Sequence, residues 1–137
     1  MTPQQGYAKP LPVIDHHNRP YWEGTQAHEL RLLECDDCSH IRFQTFSTCP
    51  HCGSDKRHWI CASGNGTVWS WTRFHKTYFA GFASDMPYVV VVIELDEGPK
   101  LFANMADMRM PPKIGKRVKA VFETVTAEVT LVKFEPA

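Results

Sequence analysis

Apolar and polar positions alternate most clearly in the back half of the chain. In "GTVWSWTRFH", residues 66–75, the period of two places Val68, Ser70, Thr72 and Phe74 on one face. Trp69, Trp71, Arg73 and His75 fall on the other. "RHWICA", residues 57–62, repeats the pattern. "YVVVVIEL", residues 88–95, is β-branched along most of its length and predicts a strand buried on both faces. "LDEG" makes a turn with Asp96 and Glu97 as a charged tip, and "KLFANM" returns as its hairpin partner. "MRMPPKIG" reads as a loop, and "KRVKAVFETV" and "VTLVKFEP" as the last strands. Five or six short strands with no strong helix among them predict a small closed or partly open barrel of the OB type.

The front half is less regular. In "NRPYWEGTQAHELRLLEC", Asn18 suits a helix cap and Pro20 a first turn, while Tyr21, Trp22 and Leu30 supply apolar anchors and Gly24 weakens the middle. The pattern predicts a short helix over residues 19–27, followed by a strand through "ELRLLEC". Residues 1–15, with Pro3, Pro10 and Pro12, read as an extended arm that stays loose until it meets a partner.

That strand runs into "CDDCSHIRFQTFSTCPHCGS", where Cys35, Cys38, Cys49 and Cys52 form two Cys-x-x-Cys pairs separated by ten residues. Two such turns supply the four thiolates of a tetrahedral zinc site. Gly53, just after the second pair, suits the positive φ such a turn needs, whereas Ser39 in the equivalent place suits it less. Between the pairs, Ile41 and Phe43 alternate with Arg42 and Gln44, as in a short hairpin strand. Iron in a rubredoxin-like site and a metal-free remnant compete with zinc. A thioredoxin-like redox role does not fit, because neither pair opens a helix after a strand. His51 and His40 are read as exposed neighbours rather than ligands. Four sulfur ligands leave no open position, so the metal's work is structural.

The resulting expectation is a mainly β chain: an extended arm over residues 1–18, a short helix plus zinc ribbon over 19–56, and an OB-fold barrel over 57–137.

At 137 residues the chain suits one domain, or a small module joined to a modest one. Fifteen basic residues balance fifteen acidic ones, which removes the overall charge that draws proteins to nucleic acid or anionic lipid. The N-terminus lacks a charged start followed by an apolar run, and no segment reaches the roughly 18 apolar residues of a membrane span, so a cytoplasmic location is expected. In that reducing compartment paired cysteines favour metal over disulfides, and the fifth, Cys61, is expected to be buried and inert.

Chemistry outside the clamp is sparse. An exposed strip of Trp69, Trp71, Arg73 and His75 could stack the bases of single-stranded nucleic acid, although barrel packing is the favoured reading of the two tryptophans. Tyr78, Phe79 and Phe82 lie in a Gly-containing loop with little core to fill, and read as an interface. Lys113, Lys116, Arg117 and Lys119 could meet phosphates, against the favoured reading of a solvated edge that discourages strand pairing. No Ser or Cys near His75 forms a nucleophilic set, so no catalytic residue is assigned; Arg73 and His75 are the candidates for contributing to a shared site.

Taken in order, "YWEG", "CDDC", "CPHCGS", "SGNGTVWSWTRFH", "PYVVVVIELDEGPKLFANM", "IGKRVKAVFE" and the closing "FEP" resemble a family of two-part proteins over about residues 20–136. Its members join a rubredoxin-like zinc ribbon to an OB-fold and were long catalogued only as a domain of unknown function. The family usually has Gly at the place of Ser39 and a Pro-rich stretch at the place of "QTFST". The resemblance implies a non-catalytic accessory subunit that binds a thiolase-fold enzyme or a hotdog-fold hydratase and helps form or bridge its acyl-CoA site. It implies a coenzyme A thioester as a shared ligand, and a complex with two copies of each chain. On that reading Trp71, Arg73, His75, Tyr78, Phe79 and Phe82 are candidates for contact with partner or acyl-CoA, and Lys116 and Arg117 for phosphate. A nucleic-acid-binding OB module and a self-sufficient acyl-CoA enzyme are the alternatives.

Overall fold

A computed structural model describes residues 7–43 and 47–137. Pro3 of the arm and Gln44 of the hairpin reading lie outside the described residues.

Helix α1, Arg19–Gln26, carries Pro20 in its first turn. Asn18 precedes it without capping it through the side chain. Instead Asn18 ties helix to arm: its Oδ1 accepts from the Asp15 amide at 2.8 Å, and its Nδ2 donates to the Val13 carbonyl at 3.0 Å. The helix ends in a Schellman turn. The His28 amide donates to the Thr25 carbonyl and the Glu29 amide to that of Gly24, with His28 at φ 59°. Gly24 lets the Arg31 side chain pack close against the helix: a Cβ there would lie 2.7 Å from its Cγ and Cδ and the arginine would have to shift.

Strand β1, Leu30–Cys35, is the centre of a three-stranded antiparallel sheet with β2, Ile41–Arg42, and β3, Arg57–Ala62, in the order β2-β1-β3. The alternation expected of β2 is reversed, because Arg42 is buried and Ile41 and Phe43 are half-buried. β3, which the sequence reading groups with the barrel, pairs with β1 from Leu30 opposite Ala62 to Cys35 opposite Arg57.

The second sheet holds β4, Asn65–Phe74; β5, Tyr88–Leu95; β6, Lys100–Ala103; β7, Arg117–Thr124; and β8, Thr130–Pro136. Their order is β6-β5-β4-β7-β8. The sheet curls until Met105, beyond β6, forms a parallel bridge with Phe134 of β8. The Phe134 amide donates to the Asn104 carbonyl at 3.1 Å and the Ala106 amide to that of Phe134 at 2.7 Å. This is the curled, partly closed barrel of an OB-fold.

Two features of the barrel correct the sequence reading. The register of β4 steps from Val68 opposite Ile93 to Ser70 opposite Val92, making Trp69 the extra residue of a β-bulge. The bulge inverts the faces of the residues that follow. Trp69 is 55% exposed, while Trp71 turns inward against the core, so the two do not share one face. β5 is also one-sided: Val89, Val91, Ile93 and Leu95 are buried, Val90 and Val92 half-buried, and Glu94 exposed.

Leu30 and Leu32 of β1 and Ala62 of β3 belong to the same buried cluster as Val68, Val91, Ile93, Val118 and Phe134 of the barrel. Ribbon and barrel therefore share one apolar core. The described part of the arm is seated rather than loose, with Lys9 paired to Asp85 at 2.7 Å. Among the described residues no helix is long and apolar enough to cross a membrane.

Phe134 is fully buried at the seam where the barrel closes. Phe134→Ala is expected to destabilise the fold by about 3–5 kcal/mol, seen as a fall in the urea midpoint. A loss below about 1 kcal/mol would show that the seam contributes little to the core.

Candidate metal centre and docking surface

The two cysteine turns are built alike. The Ser39 amide donates to the Cys35 carbonyl at 3.0 Å, and the Gly53 amide to that of Cys49 at 2.8 Å. In return the Cys35 amide donates to the His40 carbonyl and the Cys49 amide to that of Ser54. Closing each turn this way requires positive φ at the residue after the second cysteine. Gly53 supplies φ 81° and Ser39 φ 63°, so serine adopts here the conformation that glycine reaches more easily. Across the turns the Ser54 hydroxyl hydrogen-bonds to Asp37.

These loops bring the Sγ atoms of Cys35, Cys38, Cys49 and Cys52 within 4.8 Å of one another. Cys35 to Cys52 and Cys38 to Cys49 each measure 3.6 Å. A tetrahedron of sulfurs around zinc has edges of about 3.8 Å, given Zn–S bonds of about 2.3 Å. The donors fit a structural zinc ion.

Without a cation the four sulfurs oppose one another, two thiols being lowered, Cys35 and Cys49, and two raised, Cys38 and Cys52. The Cys38 amide, with that of Asp37, holds the Cys35 thiol below its ordinary value. Burial opposes ionisation of Cys49, but the amides of Cys52 and His51 and the neighbouring sulfurs bring it down to about 6. At Cys38 the His40 amide favours the thiolate, yet burial and the three other sulfurs push the thiol up to about 12. Four sulfurs this close can all be thiolates only around a cation. His40 and His51 stack beside the cluster, ring centroids 5.5 Å apart; His51 is exposed and His40 half-buried.

His58 of β3 clamps the ribbon sheet beside the first turn, contacting Asp36 through Nδ1 and Glu34 through Nε2. The hydrogen bond to Asp36, followed by the charges of Asp36 and Glu34, raises the His58 pKa above its ordinary value.

The residues named for surface contact fall into two groups, at opposite ends of β4. Beyond its end, Tyr78 is 64% exposed and Phe79 56% exposed. Phe74 holds Tyr78 edge-on at 6.1 Å and Tyr88 at 5.4 Å, and Phe82 stacks on Tyr88 at 5.1 Å. Phe82 is half-buried and belongs to the support of the loop more than to its open face. His75 is exposed beside the loop, and Arg73 lies over the Trp71 ring at 5.8 Å. At the start of β4, Arg117 gives its guanidinium to Asp96 in two bonds of 2.7 Å and also reaches Thr67 Oγ1. That leaves Lys116, which with Lys113 lines a cavity of about 500 Å³ together with Met105, Met110, Val118 and Phe134. Thr67, opposite Arg117, and Phe74 are seven residues apart on β4, about 20 Å along the strand, so the basic and aromatic groups form separate surfaces.

Glu97 accepts from the Ser63 amide, so the "LDEG" carboxylates serve the turn and its ion pair. Cys61 is exposed on β3, contrary to the expectation of burial. The sequence reading missed Phe74, whose place at a strand end resembles ordinary core, and Phe102, 78% exposed on edge strand β6. Nothing in the sequence around Phe102 marks it.

Residues 22–56 match the rubredoxin-like zinc ribbon domain of ChsH2, and residues 59–123 match the ChsH2 C-terminal OB-fold domain. The chain is 34% identical over 131 residues to a probable enoyl-CoA hydratase alpha subunit of Thermomonospora curvata, covering 94% of this chain and 40% of that one. It thus spans about two fifths of that relative's length. It is 30% identical over 111 residues to a DUF35 domain-containing scaffold protein of Pyrococcus furiosus, covering 80% of this chain and 77% of the relative. Among solved structures, a chain of the Ltp2-ChsH2(DUF35) aldolase superposes with a TM-score of 0.79 at 32% identity, covering 92% of this chain and 98% of that one.

Metal analysis is expected to give one zinc per chain, and chelation or Cys35→Ser should lower the thermal midpoint substantially. An unchanged midpoint after verified metal removal would refute a structural role. Because the folded pKa of His58 is raised, its ion pairs stabilise the fold below the ordinary histidine value and lose that effect as pH rises through the folded pKa. The stability difference between wild type and His58→Gln should therefore shrink with rising pH in urea titrations. A difference that stays flat or widens would contradict the clamp.

Proposed function

Because the chain belongs to the DUF35 family of ChsH2-like proteins, we propose that it is a non-catalytic accessory subunit of an acyl-CoA-processing enzyme. The partner class is a thiolase-fold enzyme, such as a thiolase, aldolase or acyltransferase, or a hotdog-fold hydratase. One aromatic loop carries the reading: Tyr78 and Phe79 are more than half exposed, Tyr78 is braced edge-on by Phe74, which packs on Tyr88 and through it on Phe82, and the Phe79 carbonyl accepts from the Phe82 amide at 3.0 Å. Held rings on open surface supply contact area at little ordering cost, which is what aromatic anchors of interfaces provide.

Two observations support an accessory role over autonomous catalysis. The four-sulfur site leaves no ligand position for substrate. His75 is exposed just beyond the end of β4, a solvated position that does not by itself orient an imidazole as a base for a nucleophile. The bulge at Trp69 speaks against the nucleic-acid reading, because it splits the two tryptophans that would have formed a stacking platform.

In the complex the ribbon braces α1 and the barrel, and the aromatic loop meets the partner beside its acyl-CoA site, with Arg73 and His75 at the margin. A coenzyme A thioester is the shared ligand, and Lys116 the phosphate contact, since Arg117 is committed to Asp96. Two copies of each chain make up the assembly.

The test is co-expression with a candidate thiolase-like or hydratase-like enzyme, native mass of the product, and acyl-CoA turnover by the complex and by each chain. A complex with two copies of each chain, more active than the enzyme alone, is the expected result. Tyr78→Ala with Phe79→Ala should weaken it by roughly 30-fold, the size of a 2 kcal/mol hot spot, and leave the thermal midpoint of the free chain near wild type. Turnover by the isolated chain, or salt-sensitive retention on single-stranded nucleic acid without any complex, would overturn the proposal.

A further inference from the structure

The loop that carries Tyr78 and Phe79 continues into a 3-10 turn, Ala80–Asp85, in which no residue is buried. Such a turn has no core of its own, and its conformation must be imposed by neighbours. One neighbour is Arg109, whose Nη2 donates to the Ser84 carbonyl at 2.5 Å. Another is Tyr88 of β5, on which Phe82 stacks at 5.1 Å, and a third is the N-terminal arm.

The arm meets the turn at two kinds of contact. At Gly81 the contact is backbone to backbone: a Cβ there would lie 2.4 Å from the Ala8 carbonyl oxygen and 2.9 Å from the Lys9 nitrogen. Glycine is required for this approach because neither main chain can swing aside as a side chain would. At Asp85 the contact is ionic. The Oδ2 atom is buried and receives no directed hydrogen bond among the described residues, while the Lys9 ammonium lies 2.7 Å away. Both side chains are about three-quarters covered, at 25% and 29% exposure, so the cation answers a carboxylate largely removed from water.

From Lys9 the contacts run without a break to the exposed ring. Its ammonium lies 5.1 Å from the Phe82 centroid. Phe82 stacks on Tyr88, Tyr88 meets Phe74 edge-on, and Phe74 meets Tyr78. We infer that residues 7–9 and the turn Ala80–Asp85 form one docking unit for the acyl-CoA enzyme, in which Lys9 and Gly81 are the positioning residues for Tyr78 and Phe79. This rests on the aromatic loop being the docking surface. Its occupant is that partner enzyme, and the arm's part is to fix the rings before contact, so that binding does not have to order them.

The experiment uses the full chain with Lys9→Ala, Gly81→Ala and the conservative Lys9→Arg. Hydrogen exchange of the amides of residues 76–86 is read in the free protein. Affinity for the enzyme used in co-expression is read separately, with zinc content and thermal midpoint as controls on folding. Lys9→Ala and Gly81→Ala are expected to speed exchange in that segment and weaken binding by about tenfold or more, while Lys9→Arg keeps both near wild type. Should Gly81→Ala fail to fold, the two Lys9 variants decide the matter alone. Unchanged exchange in Lys9→Ala overturns the inference directly. Faster exchange with undiminished affinity overturns it through its premise: the arm holds the turn, but the partner docks elsewhere.

Discussion

Four sulfur atoms within 4.8 Å of one another cannot all be ionised unless a cation lies among them, and the front half of this chain is organised around that constraint. Both cysteine turns spend their backbone hydrogen bonds on aiming thiols at a common centre. Cys35, one of the four clustered cysteines, is also the last residue of β1. β1 buries Leu30 and Leu32 in the barrel core, while Leu33 and Cys35 lie on its opposite face. The cysteine cluster and apolar burial are thus adjacent on one strand, and the segment that packs into the barrel core ends at a sulfur of the candidate zinc site.

Much of this could be read from the sequence because the signals were local. The spacing of Cys35, Cys38, Cys49 and Cys52 specifies a pair of tight turns, and the structure brings the four sulfurs together. Helix α1, β1 and most barrel strands fall close to where periodicity places them. What periodicity could not show was a break in its own rule. One extra residue at Trp69 reverses the faces of β4 beyond it, and no residue type marks the bulge in advance. Cys61 and Arg42 were misjudged for a related reason, since burial in a strand depends on which sheet packs over it.

Surface assignments were the least legible. Tyr78, Phe79 and Phe82 look equivalent in sequence, yet Phe82 is drawn under Lys9 and onto Tyr88 while the other two stay open. Lys116 and Arg117 are neighbours in sequence but not in role, because only Arg117 meets Asp96 across the sheet. These distinctions arise from contacts between segments distant in sequence, which no alternation of residue types encodes.

The shared core has an evolutionary side. Leu30, Leu32 and Ala62 of the ribbon sheet are covered by the barrel, and the barrel face they cover is apolar. A recombination event that moved either half alone would strand that face in water. Ribbon and barrel would therefore be expected to move between genes together, as one unit with one core.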